Sequence, residues 1–176
     1  LNILYEKYRD VSFRNETPDD YFERITGYDN SKSENYQKVK YLIDNIELLS
    51  STKNSQVMVL DVGCGGGVLL HKVKEMMPQS ITYGVEPNEL YSDLARRKSG
   101  AREIKTGYFS SELFKCRFDV VLLCDVLEHV ESPDLFLKDI YSSLNNGGVL
   151  FLEVPSPTNF NFLESSHDMF NIAHHV

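Results

Sequence analysis

Asp61, Gly63, Gly65 and Gly67 stand at alternate positions in the run Val57-Met58-Val59-Leu60-Asp61-Val62-Gly63-Cys64-Gly65-Gly66-Gly67. An acid delivered by an apolar run and followed at once by glycines suits the holding of a ligand. Glycine takes positive φ in a tight turn, and with no Cβ it lets a ligand lie against the backbone. The spacing narrows the ligand. A dinucleotide fingerprint, Gly-x-Gly-x-x-Gly, needs glycine where Val68 stands, and a phosphate-cradling loop needs a closing Gly-Lys-Ser/Thr that is absent. Glu86 ends the next apolar run and is followed by Pro87. A carboxylate there accepts hydrogen bonds from both hydroxyls of a ribose, although a solvated strand end would carry the same residue. Together these residues point to an adenosine-like ligand.

To meet, they must lie at the ends of neighbouring strands. Val57–Val62 is β-branched and bounded by glycine, which reads as a buried parallel strand. A helix is predicted from Val68 to Met77, ended with the help of Pro78. Ile81–Glu86 reads as the second strand; Asn88 caps a helix from Glu89 to Lys98, and Gly100 closes it. Glu103–Lys105 is a short third strand and Phe118–Cys124 a fourth, apolar almost throughout. Ser132 or Pro133 opens a helix running to Leu144, and Asn145-Asn146-Gly147-Gly148 turns the chain into strand five, Val149–Val154. Strands alternating with helices make an α/β fold, a doubly wound, mainly parallel sheet with helices on both faces. Ligands of such sheets bind at the carboxyl ends of the strands.

Residues 1–50 are polar and tyrosine-rich, with a short helix at Asp19–Ile25 behind Pro18 and a longer one from about Ser33 to Leu49. They are expected to form a helical extension lying over the ligand, with Tyr21, Arg24 and Tyr28 lining it. Ser50–Ser55 is a loop by composition, and 51–176 is the ligand-binding domain. The 176 residues suit one substantial core, and a net charge of −8 argues against a nucleic-acid footprint or an anionic membrane. Cys64, Cys116 and Cys124 are an odd number without Cys-x-x-Cys spacing, which fits a reducing cytoplasm. No run reaches transmembrane length and no signal-peptide pattern opens the chain. A cytoplasmic location is therefore expected.

Three further segments carry a family resemblance: Thr106-Gly107-Tyr108-Phe109; Phe118-Asp119-Val120-Val121 with Cys124-Asp125-Val126-Leu127-Glu128-His129-Val130; and Leu144-Asn145-Asn146-Gly147-Gly148-Val149-Leu150. With the glycine run they closely resemble, in order and spacing, the motifs of the class I S-adenosylmethionine-dependent methyltransferases, over about Val57 to Pro155. The resemblance implies a Rossmann-like fold, S-adenosylmethionine as cofactor and S-adenosylhomocysteine as its product. Asp61, Gly63, Cys64, Gly65, Gly67, Glu86 and Pro87 would then hold the adenosine. Tyr108 stands where an acid often follows the glycine, so Tyr108 or Phe109 stacks on the adenine or packs in the core. The backbone around Cys124 and Asp125 would face the methionine end. Asn146 replaces a usual proline.

Methyl transfer from a sulfonium is an in-line displacement, so the protein chiefly holds nucleophile, methyl and sulfur in line and excludes water. A base is needed only for a hydroxyl or an acidic C–H. Candidates are His129, Glu128, Asp125 and a late cluster of His167, Asp168, His174 and His175. His129 and His175 are the expected catalytic pair, although His129 would equally brace the loop after strand four. Asp125, Glu128, His129 and a late histidine also resemble the metal set of small-RNA 2′-O-methyltransferases. The acidic charge argues against RNA, and no metal is expected. The leading expectation is a small-molecule methyltransferase acting on a sugar, a lipid-linked intermediate or another metabolite. The alternatives are a non-catalytic S-adenosylmethionine-binding module and an NAD-dependent oxidoreductase, which Val68 weakens. The family's sheet resembles one of seven strands, whereas five are legible here, as if truncated after strand five. Either more sequence follows Val176, or another chain, a homodimer partner included, covers the edge.

Overall fold

The structure, a computed structural model, describes residues 16–45 and 56–155. Helix α1 (Pro18–Thr26) starts with Pro18 in its first turn and a reciprocal capping box between Thr17 and Asp20. Helix α2 (Glu34–Asn45) follows a single 3₁₀ turn at Asn30–Lys32. The expected extension of α2 to Leu49 and the Ser50–Ser55 loop lie outside the described residues. Thereafter the chain alternates as β1 (Met58–Val62), α3 (Val68–Met76), β2 (Ile81–Glu86), α4 (Glu89–Lys98), β3 (Glu103–Thr106), β4 (Phe118–Cys124), α5 (Pro133–Ser143) and β5 (Leu144–Glu153). Asn88 caps α4 through the Tyr91 N–H at 3.2 Å, as its type and position predict.

All strand pairings are parallel, in the order β3-β2-β1-β4-β5. From β1 the chain winds outward to β3, then returns to the other side of β1 for β4. The reversal leaves a crevice at the carboxyl ends of β1 and β4, where this architecture places ligands. On one face of the sheet Val39 and Leu42 of α2 and Leu69 and Val73 of α3 pack on Val57, Val59, Val120 and Leu122. The other face carries Ile140 of α5 with Leu60, Val62, Val85, Val121 and Leu123. Tyr83, Phe114 and Phe118 meet edge to face there. Val39 is fully buried, so α2 shares the core of the sheet.

Strand five differs from expectation at its start. It begins at Leu144, which pairs with Phe118, and pairing resumes only at Val149 opposite Val120. The four residues between bulge outward, with Gly147 at φ +77°, so the expected turn lies inside the strand rather than before it. Asn145 Nδ2 donates to Asp119 Oδ1 at 2.8 Å and holds the bulge against β4. Among the described residues no helix is long and apolar enough to cross a membrane.

Candidate functional site

The glycine turn leaves β1 with Gly63, Gly65 and Gly67 all at positive φ, +76°, +52° and +79°. The N–H groups of Gly63 and Cys64 both donate to the Val85 carbonyl, at 2.8 and 3.0 Å, which ties the turn to β2. Two of the glycines are needed for packing as well as for φ. A Cβ on Gly63 would stand 2.5 Å from Val126 Cγ2, and one on Gly67 2.7 Å from Ser99 Cβ. The space on the Cβ side of both is filled by protein side chains. Gly67 is also the N-cap of α3 and carries no side-chain cap. The helix thus presents its N-terminal N–H groups, with their partial positive charge, beside the turn.

Glu86 is fully buried. Its Oε2 accepts from Gly65 N and its Oε1 from Asn88 N, both at 2.9 Å. A buried carboxylate needs such charge-assisted bonds, and these two fix the glycine turn, Pro87 and the start of α4 against one side chain. A carboxylate accepts at about four lone-pair sites, so the bonds to Gly65 and Asn88 do not by themselves exhaust it. The residues present therefore fit an adenosine-bearing cofactor. Tyr108, just past β3, is 63% exposed. Phe109 instead packs edge to face on Phe136, ring centres 5.9 Å apart. Cys64 buries its thiol with Leu70, Ala95 and Ile104, so that only its backbone is left to face a ligand.

At the end of β4, Asp125 holds φ +54°, a left-handed conformation that aspartate tolerates better than most residues. Its N–H donates to the Glu153 carbonyl at 3.0 Å. Burial pushes the Cys124 thiol up to about 12, and the nearby charge of Asp61 pushes in the same direction. Cys124 is accordingly expected to resist alkylation in the folded protein at pH 8. Mass-spectrometric mapping of iodoacetamide adducts checks this, and rapid modification of Cys124 without unfolding would refute it.

Lys38 of α2 reaches the same end of the sheet, with Nζ 2.6 Å from Glu153 Oε1. Burial alone would lower its pKa, but the hydrogen-bonded Glu153 carboxylate and the nearby Asp125 outweigh that and hold the ammonium charged. Sequence reasoning missed Lys38. It sits on an amphipathic helix where lysines are ordinary, and nothing in its spacing sets it apart from Lys40.

His129 ends a 3₁₀ turn at Leu127–His129, its N–H bonded to the Val126 carbonyl and its Nε2 3.9 Å from Glu128 Oε1. Among the described residues no three His, Cys, Asp or Glu side chains gather as a metal site; the late histidine that the metal reading adds to Asp125, Glu128 and His129 lies outside them. His175, with His167, Asp168 and His174, lies outside the described residues. Of the expected lining residues, Tyr21 meets Tyr91 edge to face at 6.4 Å, and Tyr91 lies against Gly66 of the glycine turn. Arg24 lies over the Tyr21 ring, 5.6 Å from its centre, pairs with Glu16 and donates to Tyr28 Oη. Helix α1 is clipped to α4 by Asp19 with Arg97 and by Glu23 with Lys98.

The structure thus brings Asp61, the glycine turn, Glu86, Cys124 and Asp125 to one edge of the sheet, at the ends of β1, β2 and β4. A family model described as a methyltransferase domain matches residues 33–172. A ubiquinone biosynthesis O-methyltransferase of Pelagibacter ubique (strain HTCC1062) is 27% identical over 130 residues, covering 69% of this chain and 53% of that protein. The protein of the same name from Coxiella burnetii (strain Dugway 5J108-111) is 31% identical over 109 residues, covering 59% and 44%. The chain spans about half the length of these curated relatives. The fold is similar to that of the plantazolicin methyltransferase BpumL, solved in complex with a pentazolic desmethylPZN analog and SAH, with a TM-score of 0.65 at 16% identity over 94% of this chain and 65% of that one. With the family model spanning the glycine turn, the buried Glu86 and the Asp125 corner, the chain belongs to the class I S-adenosylmethionine-dependent methyltransferase family.

Proposed function

We propose that the protein transfers a methyl group from S-adenosylmethionine to a small-molecule or glycan- or lipid-linked acceptor. The observation that carries this is Glu86, buried and bonded to the Gly65 N–H of the glycine turn. The cofactor supplies an activated methyl on a sulfonium. Glu86 takes the ribose hydroxyls, while the glycine turn and the α3 N-terminus bound the adenosine. Tyr108 stacks on the adenine, with Pro87 at the turn beside it. At the other end Lys38 holds the amino-acid carboxylate as a charge partner. Asp61 and Asp125 set a negative field, and such a field favours a cationic ligand over a neutral product. The curated relatives are named as O-methyltransferases, which supports a hydroxyl acceptor. A hydroxyl calls for a base, and His129, with His175 after β5, is the residue proposed to take its proton. Three cysteines without disulfide spacing support a reducing compartment, the cytoplasm in the first instance.

Calorimetric titration of the full-length protein with S-adenosylmethionine and S-adenosylhomocysteine tests the cofactor site, and no binding would overturn the reading. Lys38→Met sharpens the test. The variant should lose about tenfold in affinity for S-adenosylmethionine, one charge-assisted bond's worth. It should bind 5′-methylthioadenosine, which lacks the carboxylate, as the parent does. Equal losses for both ligands would remove Lys38 from the site. Cofactor binding without transfer across hydroxyl, amine and sugar acceptors would favour a non-catalytic module.

A further inference from the structure

A second cleft opens at the opposite end of the sheet, beside the starts of β1 and β2, with a volume of about 310 Å³. Lys74 and Arg102 line it together with Thr82, Gln56 and Gln79, and among the described residues no carboxylate does. In a chain of net charge −8, a cleft with two cations and no acid is a local reversal of sign.

Two features turn it from a surface groove into a site. Lys74, in the last turn of α3, donates to the Pro78 and Ser80 carbonyls at 2.9 and 2.7 Å. An ammonium has three N–H donors, so these two bonds to the loop after α3 leave one more for a ligand. Thr82 supplies the second feature. It is 1% exposed, and its hydroxyl has no hydrogen-bond partner among the described residues. A buried hydroxyl is ordinarily satisfied, and here the one without a partner belongs to a residue lining a cationic cleft. Arg102 is held beside it by its backbone, whose N–H donates to the Thr82 carbonyl at 2.8 Å. Its guanidinium adds a forked donor suited to oxyanions.

We propose that this cleft binds a phosphomonoester, with the oxyanion on Lys74, Arg102 and the Thr82 hydroxyl. The cleft volume lies at the lower end of the range of small-molecule sites and leaves room for the organic part against Gln56 and Gln79. The site faces away from the cofactor edge, and it stands whether or not methyl transfer occurs.

Backbone amide shifts of the full-length protein, followed during titration with inorganic phosphate, glycerol 3-phosphate and glycerol, test it. Saturating shifts at Thr82 and Arg102 with both phosphates at millimolar concentration, and none with glycerol, are the supporting result. Tighter binding of glycerol 3-phosphate identifies the ester as the ligand, and equal binding identifies the free oxyanion. Arg102→Ala and Thr82→Val should each weaken the response about tenfold, while binding at the cofactor edge stays unchanged. Thr82→Val keeps the side-chain shape, so it remains informative should another variant fold poorly. Shifts centred on Arg96–Lys98, absent shifts, or shifts unaltered in both variants would overturn the proposal.

Discussion

Replacing Glu86 with alanine is expected to weaken S-adenosylmethionine binding by a factor of about 100 or more, the largest loss of any single side chain at the cofactor edge. The magnitude follows from what the carboxylate does at once. In the structure it accepts from Gly65 N and Asn88 N, so it holds the turn on which the adenosine would lie. In the proposed complex it also accepts both ribose hydroxyls. Bonds to a charged acceptor are worth about 1.5–3 kcal/mol each, and two ribose bonds alone reach the stated factor. Truncation adds the cost of leaving the Gly65 and Asn88 donors unbonded in a buried place. Glu86→Gln separates the two contributions. The amide keeps one acceptor oxygen but turns an NH₂ toward either the backbone donor or the ribose, so an intermediate loss is expected. Calorimetric titration gives the affinities and thermal melting the stability. An alanine variant that binds within a few-fold of the parent would show that Glu86 holds only the turn.

Much of this edge was legible because its signals are local. Asn88 before a helical pattern, Pro18 at a helix start and glycines after an apolar run each act within a turn or two of themselves, and each appears in the structure where its type places it. Glu86 was legible because a strand ends where its apolar run ends. Lys38 was not, since its pairing with Glu153 joins residues far apart in sequence, and a lysine on an amphipathic helix gives no sign of which end of the sheet it will reach. The start of β5 was misread for a related reason. A glycine-rich bulge and a glycine-rich turn share one composition, and only the pairing of Leu144 with Phe118 distinguishes them. The use of Gly63 and Gly67 was half legible. Their positive φ follows from the turn, but the side chains that fill the space beside them come from Val126 and Ser99, which the turn's own sequence does not contain.

Gly63→Ala puts that last point to a measurement. The substitution forces a side chain into φ +76° and places its Cβ 2.5 Å from Val126 Cγ2. Left-handed backbone costs an L-residue roughly 1–2 kcal/mol, and overpacking by one methyl in a tight place typically adds about 1–3 kcal/mol. A destabilisation of about 3 kcal/mol in urea unfolding is expected, with a marked loss of cofactor binding. The second effect follows from where Val126 sits. It directly follows Asp125, already at φ +54°, and precedes the 3₁₀ turn that carries His129. Pushing it outward moves the wall opposite Glu86. Gly147→Ala is the control, because Gly147 has nearly the same φ, +77°, with nothing within 4 Å of its Cβ position. It should lose only the backbone share, about 1 kcal/mol. Trimming Val126 to alanine in the Gly63→Ala background should recover the packing share and leave the backbone share, a coupling that a double-mutant cycle reads directly. If Gly63→Ala and Gly147→Ala lose equal stability, the contact with Val126 has no energetic consequence, and the glycine serves the turn's φ alone.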